Sequence, residues 1–239
     1  MLYLVSDIHG NKQDFMNLLK KIRFNRENDR LIIMGDVVDR GPDGIELLYY
    51  IKSYLEDKSM ELLMGNHELF LIMYLKGELS ENKWSNFGGK ETLNVVKTMS
   101  IDEKDKLLKF LEALPYYTEI SSSFFGDTVV THTGIDCDNY VINKNGQIDV
   151  IRSIDKAVER NKYNFMIGID LHQIPESDKK KFNKFIIVGH FPCFRLNENN
   201  SNKFYRTPYY MDIDAGSGHR DQGGVLGCYC VTTDEEIYV

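Results

Sequence analysis

Leu2-Tyr3-Leu4-Val5-Ser6-Asp7-Ile8-His9-Gly10 is the stretch that decides the reading of this chain. A short apolar run ends abruptly in a tip of Asp, His and Gly. The same arrangement returns twice. The run at 31–34 closes on Gly35-Asp36, and the run at 62–64 closes on Gly65-Asn66-His67. Between the first two runs, Phe15, Leu18, Leu19 and Ile22 recur at helical spacing and predict a helix over 12–23. Ile45, Leu47, Leu48, Ile51 and Leu55 predict a second helix over 43–57. Strands alternating with helices signify a sheet of parallel strands joined by helical crossovers, an α/β arrangement. In such sheets ligands bind beyond the carboxyl ends of the strands. Tips that lie about 30 residues apart in sequence therefore meet in space.

Outward from this core the pattern changes. Helical spacing continues over 69–75, 92–99 and 104–114, the last ending at Pro115. Apolar and β-branched runs then return over 124–131, 185–188, 203–206, 209–213 and 225–231, which predicts a second sheet stacked on the first. Residues 136–184 are polar, rich in Lys and Asn and weakly periodic. They read as an insertion covering one side of the site, with a helix near 150–160, inside a single domain spanning 1–239.

Composition narrows the function classes. The 239 residues are 42% apolar and 12% aromatic, enough for a packed core and incompatible with an unfolded chain. Twenty-nine basic against 36 acidic residues leave a charge of −7, which argues against bulk electrostatic binding of nucleic acid. No apolar run is long enough to cross a membrane, and no basic leader precedes Leu2, so the expected location is cytoplasmic. Cys137, Cys193, Cys228 and Cys230 form no C-x-x-C pair and read as reduced, packed thiols.

Six tips can be read in order along the chain. They are Asp7-Ile8-His9-Gly10, Gly35 to Gly41 with Asp36, Asp39 and Arg40, Gly65-Asn66-His67-Glu68, Thr131-His132-Thr133-Gly134, Val188-Gly189-His190, and Asp212-Ile213-Asp214-Ala215-Gly216. Four of the six histidines lie in them. Imidazole with carboxylate is the mixed donor set that Mn, Fe, Zn and Co accept. One Asp shared between two groups of ligands would hold two ions about 3.5–4 Å apart.

These blocks resemble the calcineurin-like metallophosphoesterases, and the intact Asp39-Arg40-Gly41 and Gly65-Asn66-His67-Glu68 resemble most the branch of Ser/Thr protein phosphatases and their small bacterial relatives. The resemblance runs from residue 5 to about 227; its one departure is Ser6, where the family usually has Gly. It implies a four-layer αββα sandwich of two mixed sheets flanked by helices. It assigns Asp7 and His9 to one metal, Asp36 to the bridge, and Asn66, His132 and His190 to the second metal, with Asp214 in support. It implies His67 as the general acid, Asp39 as the carboxylate orienting it, and Arg40 as a phosphate clamp. Arg152 is the expected second clamp and Arg160 its alternative. Two divalent ions are implied, with manganese expected and Fe, Zn, Co or Ni open.

The function expected from this is hydrolysis of phosphate monoesters on Ser, Thr or Tyr of proteins, by a hydroxide bridging the two ions. The alternative is a symmetrical dinucleoside tetraphosphate (Ap4A) hydrolase, for which Tyr140, Tyr163 and Phe165 are available to stack bases. An inactive phosphoprotein-binding module is disfavoured because every ligand and the acid are present, and a nuclease because of the acidic balance. Phosphorylated protein or small molecule is thus the expected partner, without nucleic acid or membrane. Trp84 and Phe87, before Gly88-Gly89, read as packing residues with the lining of a groove open, Glu68 as a helix cap, and the 179–181 lysine run as a solvated face. His172 and His219 read as surface residues, with a substrate contact at His219-Arg220 open.

Overall fold

A computed structural model gives the fold and describes residues 1–168 and 170–239. In order, the chain forms β1 (Leu2–Val5), α1 (Lys12–Lys21), β2 (Arg30–Ile33), α2 (Gly44–Lys52), β3 (Met60–Leu62), α3 (Asn66–Leu75), α4 (Glu81–Trp84), α5 (Lys90–Thr98) and α6 (Ile101–Glu112). The second half forms β4 (Tyr117–Ser122), β5 (Gly126–Thr131), α7 (Val150–Ile167), α8 (Glu176–Lys179), β6 (Phe185–Val188), β7 (Tyr205–Arg206), β8 (Tyr210–Asp212), β9 (Gly227–Cys230) and β10 (Glu235–Tyr238).

Two five-stranded mixed sheets result, in the orders β10-β9-β1-β2-β3 and β4-β5-β6-β8-β7. Each contains a parallel triplet, β1, β2 and β3 in one and β5, β6 and β8 in the other, with antiparallel strands at the margins. Alternation along the strands divides their side chains between two cores. Leu4, Ile32, Val130, Ile187, Met211 and Tyr229 pack in the layer between the sheets. Val5, Leu31 and Ile33 on one sheet, and Val129, Ile186 and Val188 on the other, pack outward with residues of the helices. This is the expected sandwich of two mixed sheets flanked by helices. Burial on both faces explains why the parallel strands are nearly continuous apolar runs.

Several features differ from expectation: the run at 225–231 forms β9 in the first sheet, antiparallel to β1, rather than joining the second sheet. The second helix stops at Lys52 rather than 57, because 53–58 turn back to start β3. The helix near 150–160 extends to Ile167, across a non-helical Asn161 (φ −167°). Strands β4 and β10 have no apolar run to announce them: β4 alternates buried and exposed residues only at Ile120–Ser122, and β10 has no fully buried residue. Cys193, Cys228 and Cys230 are buried free thiols, whereas Cys137 is exposed. Among the described residues, no helix is long and apolar enough to cross a membrane.

Candidate metal centre

All six tips lie at the carboxyl ends of the six parallel strands, three from each sheet, so the crevice between the sheets gathers them. Backbone bonds lock the first two together: His9 N–H donates to Asp36 O (2.9 Å), Gly10 N–H to Val37 O (2.8 Å) and Gly41 N–H to His9 O (3.0 Å). Of the eleven non-glycine residues with positive φ among those described, six are Asp7, His9, Asp36, Asp39, Arg40 and His190. Each costs about 1–3 kcal/mol, and such strain persists where the surroundings over-determine it, typically at functional sites.

Asp36 lies at the centre. Its Oδ1 accepts the His67 backbone N–H (2.9 Å) and lies 3.4 Å from His132 Nε2. Its Oδ2 lies 3.6 Å from His9 Nε2 and 3.8 Å from His67 Nε2. One oxygen thus faces each of two donor groups, His9–Asp36–His67 and Asp36–His132–His190, whose ligand atoms lie within 4.8 Å of one another. Asp7 Oδ1 borders the first group, 3.9 Å from His9 Nε2. Asn66 Oδ1 borders the second, 2.9 Å from both His132 Nε2 and His190 Nδ1.

The imidazole tautomers follow from their partners. His9 Nδ1 meets Val38 O (3.1 Å) and His132 Nδ1 meets Met34 O (2.8 Å). A carbonyl oxygen only accepts, so each Nδ1 carries a proton; His9 Nε2 then turns a lone pair to the crevice, while His132 Nε2 faces the Asn66 amide oxygen. Burial pushes His9 and His67 well below the ordinary histidine range, and His190 to about 3. His9 and His190 are therefore neutral and free to ligate. Burial, then the charges of Asp7 and Glu68, push Asp36 well above the usual carboxylate range. Burial and Asp7 do the same to Asp214. A pocket of repelling buried carboxylates beside neutral imidazoles calls for cations.

His67 is held from behind. Its Nδ1 donates to Asp39 Oδ2 (2.8 Å), which also accepts the Trp84 indole N–H (2.8 Å), while Asp39 N–H donates to Thr92 Oγ1 (3.0 Å). Burial pushes the Asp39 carboxyl up to about 6, so it stays ionised at neutral pH and takes the Nδ1 proton. Trp84 is indeed core, but it also anchors this carboxylate. Its indole needs Gly89, where a Cβ would approach within 2.2 Å.

Other side chains depart from expectation. Glu68 accepts backbone N–H bonds from Gly65, Asp36, Val37 and Val38 at 2.7–3.2 Å, so it ties the Asp36 tip to the start of α3 as well as capping that helix. Ser6 donates to Asp7 Oδ2, which also accepts the His190 backbone N–H (2.9 Å). Asp214 accepts the Gly216 N–H (2.8 Å) and belongs to neither donor group. His219 is half-buried and pushed down to about 4 by burial and by Arg40, whose Nη1 lies 2.6 Å from its Nε2. The expected surface histidine thus holds the guanidinium in place. Arg220 pairs with Asp14 on α1.

Arg152 and Arg160 are exposed on α7, and Arg160 borders a small cavity with Asp136 and Asn139. Arg40 and Arg195 are instead the guanidiniums whose charges reach Asp214 and His219. Asp170, from the 136–184 segment, reaches the crevice, 3.8 Å from His190 Nε2. His172 packs on Phe191 at 4.2 Å between ring centroids rather than facing solvent. Lys179 lies over the Tyr210 ring, unlike a solvated lysine. Of the proposed base-stacking aromatics, Phe165 is buried against Tyr116, Tyr140 packs on Phe182, and Tyr163 packs on the core. Phe165 offers no free face, and both tyrosines are partly buried.

Arg40 itself lies between two glycines. A Cβ on Gly88 would meet its Cγ at 2.9 Å; one on Gly218 would meet its Cδ at 2.8 Å and His9 Cδ2 at 2.3 Å. Gly218→Ala is expected to displace the His9 ring or the guanidinium and to lower kcat/KM about 10²-fold, the usual cost of a misplacement near 1 Å. Steady-state kinetics beside a thermal melt would check this; full activity would show that the slot has slack.

The calcineurin-like phosphoesterase family model matches residues 2–219. A symmetrical bis(5'-nucleosyl)-tetraphosphatase of Buchnera aphidicola subsp. Schizaphis graminum is 36% identical over 118 residues. That match covers 45% of this chain and 42% of the relative, so less than half the length of this curated relative is matched. Among solved structures, a Saccharomyces cerevisiae protein serine/threonine phosphatase superposes with TM-score 0.65 at 18% identity, over 100% of this chain and 78% of its own. A cold-active protein-tyrosine phosphatase of Shewanella gives 0.57 at 17%, over 99% and 76%. At such identities these two show shared fold alone.

Proposed function

The chain belongs to the calcineurin-like phosphoesterase family, and from that premise we propose that it hydrolyses dinucleoside tetraphosphates at the centre of the phosphate chain. Family membership implies divalent metal ions, and the donor set fits them. Asp7, His9 and Asp36 would hold one ion, and Asp36, Asn66, His132 and His190 the other, with manganese the proposed metal. When bound, such ions supply Lewis acidity and lower the pKa of water to about 7. The chain's own residues do the rest. Arg40, fixed between glycines and braced by His219, presents a planar fork to phosphate oxygens. His67 is oriented by Asp39 and Trp84, and in its imidazolium form, with Nδ1–H on Asp39, it would carry at Nε2 the proton that a departing oxygen takes.

The observation that carries the substrate is the 36% identity to a symmetrical tetraphosphatase. A second reading, the Ser/Thr or Tyr phosphoprotein phosphatase expected from the sequence, is favoured by the His67–Asp39 pair. An alkoxide leaving group needs a proton donor far more than the phosphate leaving group of an anhydride. Assays of metal-loaded protein with diadenosine tetraphosphate, a phosphoserine peptide and p-nitrophenyl phosphate separate the two. Preference for the dinucleotide, with ADP as the sole product, supports the proposal; preference for the peptide overturns it.

His67→Ala is expected to slow peptide hydrolysis by about 10²–10⁴-fold while metal content is unchanged. The loss should be smaller for p-nitrophenyl phosphate and for the tetraphosphate, whose leaving groups are weak bases. Equal losses on all three would remove His67 from the acid role.

A further inference from the structure

We propose that Phe87 is the stacking platform for one nucleobase of the substrate, an inference that rests on the dinucleotide reading above. Phe87 is 44% exposed, although it is a large apolar ring beside a polar crevice. It stands in the five-residue turn Ser85–Gly89 and stacks on Phe70, with ring centroids 4.9 Å apart and an interplanar angle of 27°. Phe70 in turn meets the His67 imidazole edge-on at 5.4 Å. One face of Phe87 is therefore spent on Phe70, and the ring lies two ring spacings from the acid.

Its position is held rigidly. The next residue, Gly88, adopts φ +100° and accepts the Arg40 backbone N–H (2.8 Å). The backbone that carries the ring is thus bonded to the residue that carries the phosphate clamp. A nucleotide whose phosphates lie against Arg40 would bring its ribose and base out along this rim. Flat, sequence-tolerant stacking on an exposed aromatic is how proteins commonly hold a base that they do not read by hydrogen bonds. Phe87 is exposed, whereas Phe165 is buried and Tyr140 and Tyr163 are partly buried in the core.

ADP and inorganic diphosphate share the same phosphate chain and differ by the adenosine. Both are tested as competitive inhibitors of p-nitrophenyl phosphate hydrolysis by the metal-loaded chain, at fixed free metal. In wild type ADP should bind more tightly than diphosphate. In Phe87→Ala the ratio of the two inhibition constants should fall by roughly 5- to 150-fold, and Phe87→Tyr should restore it. Because both inhibitors report on the same protein, partial unfolding leaves the ratio unchanged. An unaltered ratio in Phe87→Ala, or no recovery in Phe87→Tyr, overturns the platform. If wild type splits diadenosine tetraphosphate yet does not distinguish ADP from diphosphate, the platform falls and the dinucleotide reading stands. If wild type does not split the dinucleotide, both fall.

Discussion

Asp36→Asn is expected to lose both metal ions and to lower kcat/KM by on the order of 10³-fold or more, since the ions contribute several kcal/mol of charge stabilisation in the transition state. The amide oxygen will keep the Oδ1 position, where it still accepts the His67 N–H. The amide nitrogen then falls at Oδ2 and offers a hydrogen to the lone pair of His9 Nε2 in place of a ligand oxygen. Elemental analysis of the purified variant should show loss from both positions, because one carboxylate serves both donor groups.

The same substitution makes an opposite prediction for stability without metal. Burial and the charges of Asp7 and Glu68 raise the folded pKa of Asp36. The unfolded carboxyl ionises near pH 3.9. As pH rises through that value and toward the folded pKa, the unfolded chain gives up this proton more readily than the native one, and stability falls. At neutral pH in EDTA, Asp36→Asn should therefore melt above wild type, and saturating manganese should reverse the order. A variant that melts lower in EDTA would show that Asp36 is not under the repulsion inferred for it.

Glu68→Gln is expected to be the most destabilising single change near the site. Glu68 is fully buried, and each of its oxygens receives two backbone N–H groups. An amide nitrogen at either position would face two donors and leave them unsatisfied, at about 1–3 kcal/mol each. For a protein of this size the melting temperature should fall by roughly 5–20 °C. Activity should fall with it, because the freed pair is either Gly65 with Asp36 or Val37 with Val38, and each includes the tip that carries the central carboxylate. Calorimetry with and without manganese would measure both effects; a shift of under about 2 °C would show that the cap bears little load.

The strand ends were legible because each β-strand of the parallel triplets is a short apolar run that stops at Gly, Asp, His or Asn. Edge strands were not. β10 has no fully buried residue, and β4 precedes the run that was recognised as β5. The site divides in the same way. Asp7, His9, Asp36, Asn66, His132 and His190 stand in local motifs, and the structure brings their donor atoms together. Trp84, Thr92, Asp170 and His219 carry no such local signal. Each contacts a motif residue from 45 to 179 positions away, or, for Asp170, 20.

From the sequence alone come the parallel strands and the helices between the first three of them, the six tips and the types of donor atom they carry, because these depend on period and on residues adjacent in the chain. Only the tertiary structure decided which groups hold those donors in place: Glu68 beneath the Asp36 tip, Trp84 behind Asp39, His219 against Arg40, and Phe87 left open on the rim. Those are contacts between surfaces that meet only after two sheets have packed. A chain read one residue at a time holds no record of how its far parts face each other.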